Sequence, residues 1–485
     1  MSNPPEIVVL GGGGAGLCAA VEAARAGARV TVLEKGSRPG GTTAISVGSL
    51  MAAGSRLQKE AGIEDSPQRH REEIFEVLKA RGTGTNRDLT RLATDNAGAV
   101  VDFMEELGVR FIGPLEQPPF PTRRFYNALP GGVAYVTALA RECQRLGVEI
   151  RTDAMASGIV RGPAGISAVD FEEGGRTHRL AASAVIVATG EFSANARMRR
   201  ELLSDPLDGV LAFNPLATGD GHAMARAIGA DLVLRPDLDA NALLQVRFAP
   251  AAKGAGRPWR TPALARLVQW AVENLPQRLL RPFILCEAMT ALAPERSLFE
   301  HGAILVNRDG ERFCEEIGPH GPAILRQPGS EAFILFDARL REVFERWPNF
   351  VSTAPGVAYA YMSDYRRVRP DLYTLADGPL EMAQRLKMDP QRLAATLAAL
   401  PEPMDTSSLT ALGPLKVWAS PTPVGLAVSD RLNVLSTEGE PIAGLYAAGH
   451  AGQGGYTSVH HGHSLLWAFT SGRLAGRHAA EDFSS

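Results

Sequence analysis

Ile7-Val8-Val9-Leu10-Gly11-Gly12-Gly13-Gly14-Ala15-Gly16 is the stretch on which the fold turns. Four consecutive apolar residues, most of them β-branched, predict a strand buried on both faces. The glycines that follow satisfy G-x-G-x-x-G through Gly11, Gly13 and Gly16. An Ala-rich helical stretch then runs from Ala15 to Ala26, with Gly27 as its C′ residue. A second strand, Arg29 to Leu33, ends at Glu34, 18 positions beyond Gly16. Each residue type has a mechanical reason. Gly11 permits a tight turn, Gly13 lets backbone approach a pyrophosphate, and Gly16 allows close helix–strand contact. Gly14 and Ala15 open a helix whose unpaired N–H groups face phosphate, and the Glu34 carboxylate suits a pair of ribose hydroxyls. Strand, helix and acid all fall where a dinucleotide requires them, which a merely glycine-rich turn does not explain. The acid at Glu34 disfavours a 2′-phosphate, leaving FAD or NAD rather than NADP.

The rest of the composition is permissive. With 45% hydrophobic and 21% charged residues, the 485-residue chain is globular and not disordered. A net charge of −3 argues against a general nucleic-acid or anionic-membrane binder, though not against one small anionic ligand. Cys18, Cys143, Cys286 and Cys314 show no C-x-x-C spacing, so neither a disulfide framework nor a metal site is signalled, and a reducing compartment is expected. The first strand begins at Ile7 with no basic or apolar leader pattern ahead of it. The uncharged stretch Pro441 to Gly472 is broken by Gly, His, Gln, Ser and Thr and is too polar to span a membrane. A cytoplasmic protein is expected. Residues 60–110 read as amphipathic helices, with Leu92, Val100, Val101, Met104 and Leu107 on their apolar faces. Residues 148–188 read as short strands with Gly and Pro turns. The run Leu267-Val268, Trp270-Ala271-Val272 reads as a core helix in preference to an apolar substrate entrance.

Further motifs follow in order. Glu34-Lys35-Gly36 leads into Gly40-Gly41-Thr42-Thr43-Ala44-Ile45-Ser46-Val47-Gly48. Ala184-Val185-Ile186-Val187-Ala188-Thr189-Gly190 is a strand ending in A-T-G, and Thr218-Gly219-Asp220-Gly221-His222 contains T-G-D-G. Asn307 to Phe313 reads N-x-x-G-x-R-F, and Gly444 to Gly449 reads G-L-Y-A-A-G. Together these resemble the fumarate reductase and 3-ketosteroid dehydrogenase flavoprotein superfamily. The resemblance implies an α/β fold: a Rossmann-like FAD-binding domain of the glutathione-reductase type with a β-meander, plus an inserted α+β capping domain. On that pattern residues 1–235 and 420–485 form the FAD-binding domain and 236–419 the cap. It implies that Lys35, Gly41, Thr42, Thr43 and Ser46 run along the pyrophosphate and ribityl chain, with Val47 and Gly48 beside the flavin. Ala154, Ala188, Thr189, Gly190 and Asp220 are implied to touch FAD, as are Gly449 and His450. Ser464, Leu465 and Leu466 should open the last helix, whose N–H groups stabilise negative charge at flavin N1/O2. Thr42 and Thr43 stand where covalently flavinylated relatives carry the linking His, so non-covalent FAD is implied.

The residues that would do chemistry depart from the resemblance. A flavin dehydrogenase of this type exchanges hydride at N5 while a second group moves a proton at the carbon α to a carbonyl or carboxylate. The resemblance puts arginines at two positions that here hold His320 and His460. The turn Thr422-Pro423-Val424-Gly425 replaces T-x-G-G. Reduction of a C4 dicarboxylate is therefore not expected. His450, His460, His461 and His463 make the last loop histidine-rich, and imidazoles titrate near neutrality. They read as a catalytic cluster, as packed structural histidines or, least of all, as a metal site; no metal is expected. His460 and His320 are the candidate proton-moving and carbonyl-polarising groups, with Tyr456 as a further candidate hydroxyl. The expectation is an FAD-dependent oxidoreductase for α,β-dehydrogenation, or the reverse reduction, of a small organic substrate. The electron acceptor and oligomeric state are open. A flavin oxidase or hydroxylase, or a non-catalytic electron-transfer or sensor protein, is the alternative.

Overall fold

The computed structural model describes residues 4–203, 208–235, 237, 244–249, 293–354 and 358–483. The apolar run that opens the sequence becomes β1 (Glu6–Leu10), which lies inside a six-stranded sheet. The strand order is Asn433–Leu435, Pro441–Ala447, β10 (Ala184–Val187), β1, β2 (Arg29–Leu33), β6 (Glu149–Arg151). All neighbours are parallel except the edge strand Asn433–Leu435. The buried, β-branched strands are what a sheet covered on both faces requires. Helix α1 (Gly14–Arg25) connects β1 to β2, and β7 (Met155–Gly162), β8 (Gly165–Glu173) and β9 (Arg176–Ala181) form an antiparallel meander between β6 and β10. The Rossmann-like sheet and meander match the expectation from the motifs.

Helix α1 packs against helix His463–Asp482, and the approach depends on small residues. A Cβ on Gly472 would stand 2.3 Å from the Ala15 carbonyl oxygen, and one on Gly476 would stand 2.1 Å from that of Ala19. Helices Pro67–Ala80, Arg87–Asp95 and Ala97–Glu106 fill the span read as helical, with Ser66 and Asn86 side chains capping the first two. A three-stranded antiparallel sheet of β3 (Ser49–Met51), β5 (Phe120–Leu129) and β4 (Arg110–Gln117) was not expected. Pro114 and Pro121 lie within its strands and interrupt the strand signal.

The second large sheet is centred on strand Leu409–Ala419, which pairs antiparallel with Leu244–Phe248, Glu331–Asp337 and Tyr373–Ala376. Strand Ile304–Val306 extends it. Leu211–Ala212 pairs with Trp418–Ala419, so the chain enters this sheet before residue 236. Its apolar clusters are distinct from that of the nucleotide fold, giving the capping body its own core. The run Leu267 to Val272 and Cys286 lie outside the described residues. Among the described residues no helix is long and apolar enough to cross a membrane.

Candidate functional site

The carboxyl ends of β1, β2 and β10 meet at an open cleft. Gly11, Gly13, Gly14 and Ala15 line it, as do Glu34 and Lys35 after β2. Gly41, Thr42 and Thr43 of helix α2 (Gly41–Ile45) form another side, together with Ala154. Ala188, Thr189, Gly190, Asp220, Gly449 and His450 complete it. Gly16 sits behind the lining, where a Cβ would stand 1.9 Å from the Gly11 carbonyl oxygen; its role is helix–strand contact. Ser46, Val47, Gly48, Ser464, Leu465 and Leu466 do not line the cleft. Ser46 donates its hydroxyl to the Thr43 carbonyl at 2.8 Å, and Tyr135 donates to the Gly48 carbonyl at 2.9 Å. Helix His463–Asp482 begins one residue before Ser464.

The local geometry explains why these residues gather. Gly11 has φ +103° with Ala188 O 2.6 Å from its missing Cβ, which only glycine accommodates. The Glu34 carboxylate accepts from Gly12 N–H at 2.7 Å through one oxygen and from Gly36 N–H at 2.7 Å through the other. It therefore buckles the two turns together, and each oxygen keeps capacity for a second donor. Gly14 N–H donates to Thr43 Oγ1 at 3.2 Å, tying α2 to the head of α1. Lys35 Nζ is 2.6 Å from Asp220 Oδ2 and also meets the Thr218 hydroxyl, so Asp220 is an ion-pair partner inside the cleft wall.

The lining fits a dinucleotide with an apolar ring at one end. At Gly13 and Gly190 an added Cβ would meet no atom within 4 Å, so backbone alone forms those walls. Thr189 Oγ1 is buried without a hydrogen-bond partner, and α1 receives no side-chain cap from Gly13. Ile45 and Val47, beyond the Thr42–Thr43 corner, are 49% and 57% exposed, an apolar ledge suited to a flat ring. Glu191 escaped the sequence reading although it directly follows A-T-G. Its buried carboxylate accepts from Ser193 N–H at 2.6 Å and from Thr422 N–H and hydroxyl at 3.1 Å each, and burial raises its pKa. Asn214 is a second omission; it donates to Thr42 Oγ1 at 3.2 Å.

The histidine-rich loop lies beside this cleft. Gly462, at φ +92°, approaches Met51 of β3 so closely that a Cβ would stand 2.6 Å from its nitrogen. The loop is thereby seated against the strand that follows Ser46-Val47-Gly48. His460 is half-buried, its ring edge-on to Phe120 at 6.2 Å, and its Nδ1 is buried without a partner. Burial first, then the neighbouring His461 and Arg81, lower its pKa to about 4. Burial likewise lowers His450 to about 4. Both imidazoles are neutral at pH 7. Among the described residues no group of three or more His, Cys, Asp or Glu side chains is placed to hold a metal.

Two sequence expectations need correction. Tyr456 is 1% exposed, its ring stacked on Trp467 at 4.9 Å and its hydroxyl directed at the His463 carbonyl at 3.4 Å. Burial pushes its phenol up, and the side chain packs within the loop and does not line the cleft. His320 does not join His460. It precedes helix Gly321–Leu325, its Nε2 bonds the Glu316 carbonyl, its ring lies 4.9 Å from Phe299, and it lines a separate cleft with Val246 and Arg296. Residue counting along a motif placed it by sequence, but the cap turns it toward its own core.

Two other residues come into view only in three dimensions. His70 of helix Pro67–Ala80 is wholly buried with Nε2 3.1 Å from His463 Nε2. The i, i+4, i+8 stripe His70, Ile74, Leu78 was the available signal. Arg247, on the cap strand Leu244–Phe248, stacks over Phe213 at 4.8 Å, and Phe213 stacks on Trp418 at 5.0 Å. Burial lowers the Arg247 pKa to about 10, and its charge is felt at His461.

A family model described as FAD binding domain matches residues 6–256 and 244–464. An NADH:fumarate oxidoreductase of Klebsiella pneumoniae is 25% identical, over 98% of this chain and 48% of its own length. The chain thus spans about half of that relative. A vinyl phenol reductase of Lactiplantibacillus plantarum is 27% identical, over 98% of this chain and 96% of its own. The open conformation of a flavocytochrome c3 fumarate reductase superposes with a TM-score of 0.74 at 22% identity, covering 99% of this chain and 78% of that one.

Proposed function

The chain belongs to the FAD binding domain family, and on that premise we propose that it is an FAD-dependent oxidoreductase acting on a carbon–carbon bond in a small organic molecule. The bond is one activated by a neighbouring carbonyl or carboxylate, and the FAD is held without a covalent link. When bound, FAD supplies hydride exchange at its N5. The N–H groups at the head of α1, with the backbone at Gly13, take the pyrophosphate, and the free lone pairs of Glu34 take the ribose hydroxyls. Thr42 and Thr43 would line the path of the ribityl chain, with the exposed Ile45 and Val47 beyond them for the ring. His460 moves the proton at the α carbon. Arg247 from the cap strand and His461 from the loop polarise the carbonyl or meet a single carboxylate, and the cap excludes water.

The observation that carries this reading is His460 itself: a neutral imidazole with a partnerless buried nitrogen, on a loop seated against β3. Burial holds His460 in its neutral form at pH 7, the form that has a nitrogen lone pair free to take a proton. The free thiols Cys18, Cys143 and Cys314 suit a cytoplasmic setting. The test is anaerobic. Purified yellow protein is mixed with saturated ketones and acids, and photoreduced protein with fumarate, vinyl phenol and cyclic enones. Stoichiometric bleaching or reoxidation by one of these is expected, with fumarate among the weaker. A flavin that responds to none of them, and reoxidises only with oxygen, overturns the reading.

A further inference from the structure

Helix Pro67–Ala80 does more than cover the histidine-rich loop. Its Ile74 and Leu78 join Met51, Phe120, Phe125 and Val459 in one apolar cluster, so loop and helix share a small core. Into that core the helix inserts His70 and the loop inserts His463, each wholly buried, with rings 5.3 Å apart and Nε2 atoms 3.1 Å apart.

Hydrogen-bond chemistry fixes every proton in this pair. His463 Nδ1 lies 3.3 Å from the His460 carbonyl oxygen, which can only accept, so Nδ1 carries the hydrogen. A neutral imidazole has one N–H; His463 Nε2 is therefore bare and accepts. His70 Nε2 must then donate. The chain has one permitted direction: His70 Nε2–H to His463 Nε2, then His463 Nδ1–H to His460 O.

The surroundings enforce neutrality. Burial first, then His463, Arg124 and Arg71, holds His70 well below its ordinary pKa. Burial, with His460, Arg124 and Arg81 beside it, lowers His463 to about 3. Arg124 of β5 is itself wholly buried and paired with Asp65 at 2.9 Å and Glu73 at 3.0 Å, so these two carboxylates are already engaged. A second tie comes from the other end of the same helix, where Arg81 Nη1 donates to the Val459 carbonyl at 2.7 Å. The Val459 carbonyl is thus held directly by Arg81, and the His460 carbonyl by His463, which His70 in turn engages.

We propose that His70, His463 and Arg81 form a latch that sets the His460 imidazole in place. They are positioning residues, acting through the backbone of the residue they orient. The consequence for catalysis rests on the role given to His460 above; the latch itself does not.

Two measurements on FAD-loaded protein test it without turnover. Long-range proton–nitrogen spectra of protein labelled with nitrogen-15 histidine should show His463 as the Nδ1–H tautomer and His70 as the Nε2–H tautomer at pH 7. The reverse tautomers, or a charged ring, overturn the proposal. Amide exchange across Thr457 to Gly462 should quicken by about tenfold or more in His70→Leu, which keeps volume and loses the donor. In His70→Gln, whose amide keeps an N–H for His463, exchange should return to within about threefold of the wild type. Unchanged exchange in His70→Leu overturns the proposal, as does a His70→Gln loop as mobile as that of His70→Leu. If either histidine variant misfolds, Arg81→Met, which loosens the Val459 tie from the surface, carries the same expectation of faster exchange. With any substrate the bleaching screen finds, His70→Leu should lower kcat with KM little changed, and His70→Gln should restore it. If the screen finds no substrate, the functional reading falls while the spectra and exchange still decide the latch.

Discussion

At the scale of single residues, the same side-chain type takes different work from its surroundings. His460 keeps a nitrogen unpaired, His463 spends both nitrogens on neighbours, and His450 faces the cleft. His460→Ala should lower the rate of flavin bleaching by roughly 10²–10⁴. FAD content should stay unchanged, because His460 is not in the cleft lining. The acid limb of the rate profile should fall near pH 4, not near 6.5, since the neutral ring is the active form and protonation removes it. Stopped-flow measurements across pH check both. Glu34→Ala frees the amides of Gly12 and Gly36 and removes the ribose acceptor; FAD affinity should weaken by about ten- to a hundredfold in titrations of the apoprotein. Glu34 was legible from its spacing alone. That its carboxylate also ties two turns was not, because spacing says nothing of which backbone amides turn back toward it.

Among elements, the decisive contact is between α1 and helix His463–Asp482. Gly472 and Gly476, one turn apart, lie against the carbonyls of Ala15 and Ala19. This seats the last helix against the head of the nucleotide loop and brings Gly449 and His450 to the cleft. Gly476→Ala should destabilise the fold by about 1–3 kcal/mol through overpacking, read as a lower urea midpoint with an unchanged slope. The parallel strands and α1 were legible because their signals are local: apolar runs, glycine spacing and an acid at the strand end. The β3–β5–β4 sheet was not, since Pro114 and Pro121 conceal strands that only cross-strand pairing reveals. The His70 latch was equally hidden, its partners lying 393 residues apart.

For the whole molecule, buried neutral histidines set the acid stability. His222, His450 and His463 have folded-state pKa values of about 4, 4 and 3, each lowered chiefly by burial, below an unfolded value near 6.5. Their contribution is fully present above pH 6.5 and is lost as pH falls toward 4. By pH 5 each gives up to about 2 kcal/mol. The melting temperature should therefore drop between pH 7 and 5, which a thermal scan reads directly; a flat profile would show that these rings are not buried neutral. Sequence alone determined that this chain builds a dinucleotide fold and takes a flavin, because glycine geometry, strand patterning and motif order act over short ranges. Only the tertiary structure decided which histidine nitrogens find partners. It turned His320 into the cap, packed Tyr456 behind the loop and locked His463 to His70, since burial and hydrogen-bond partnership are fixed by elements that meet from distant parts of the chain.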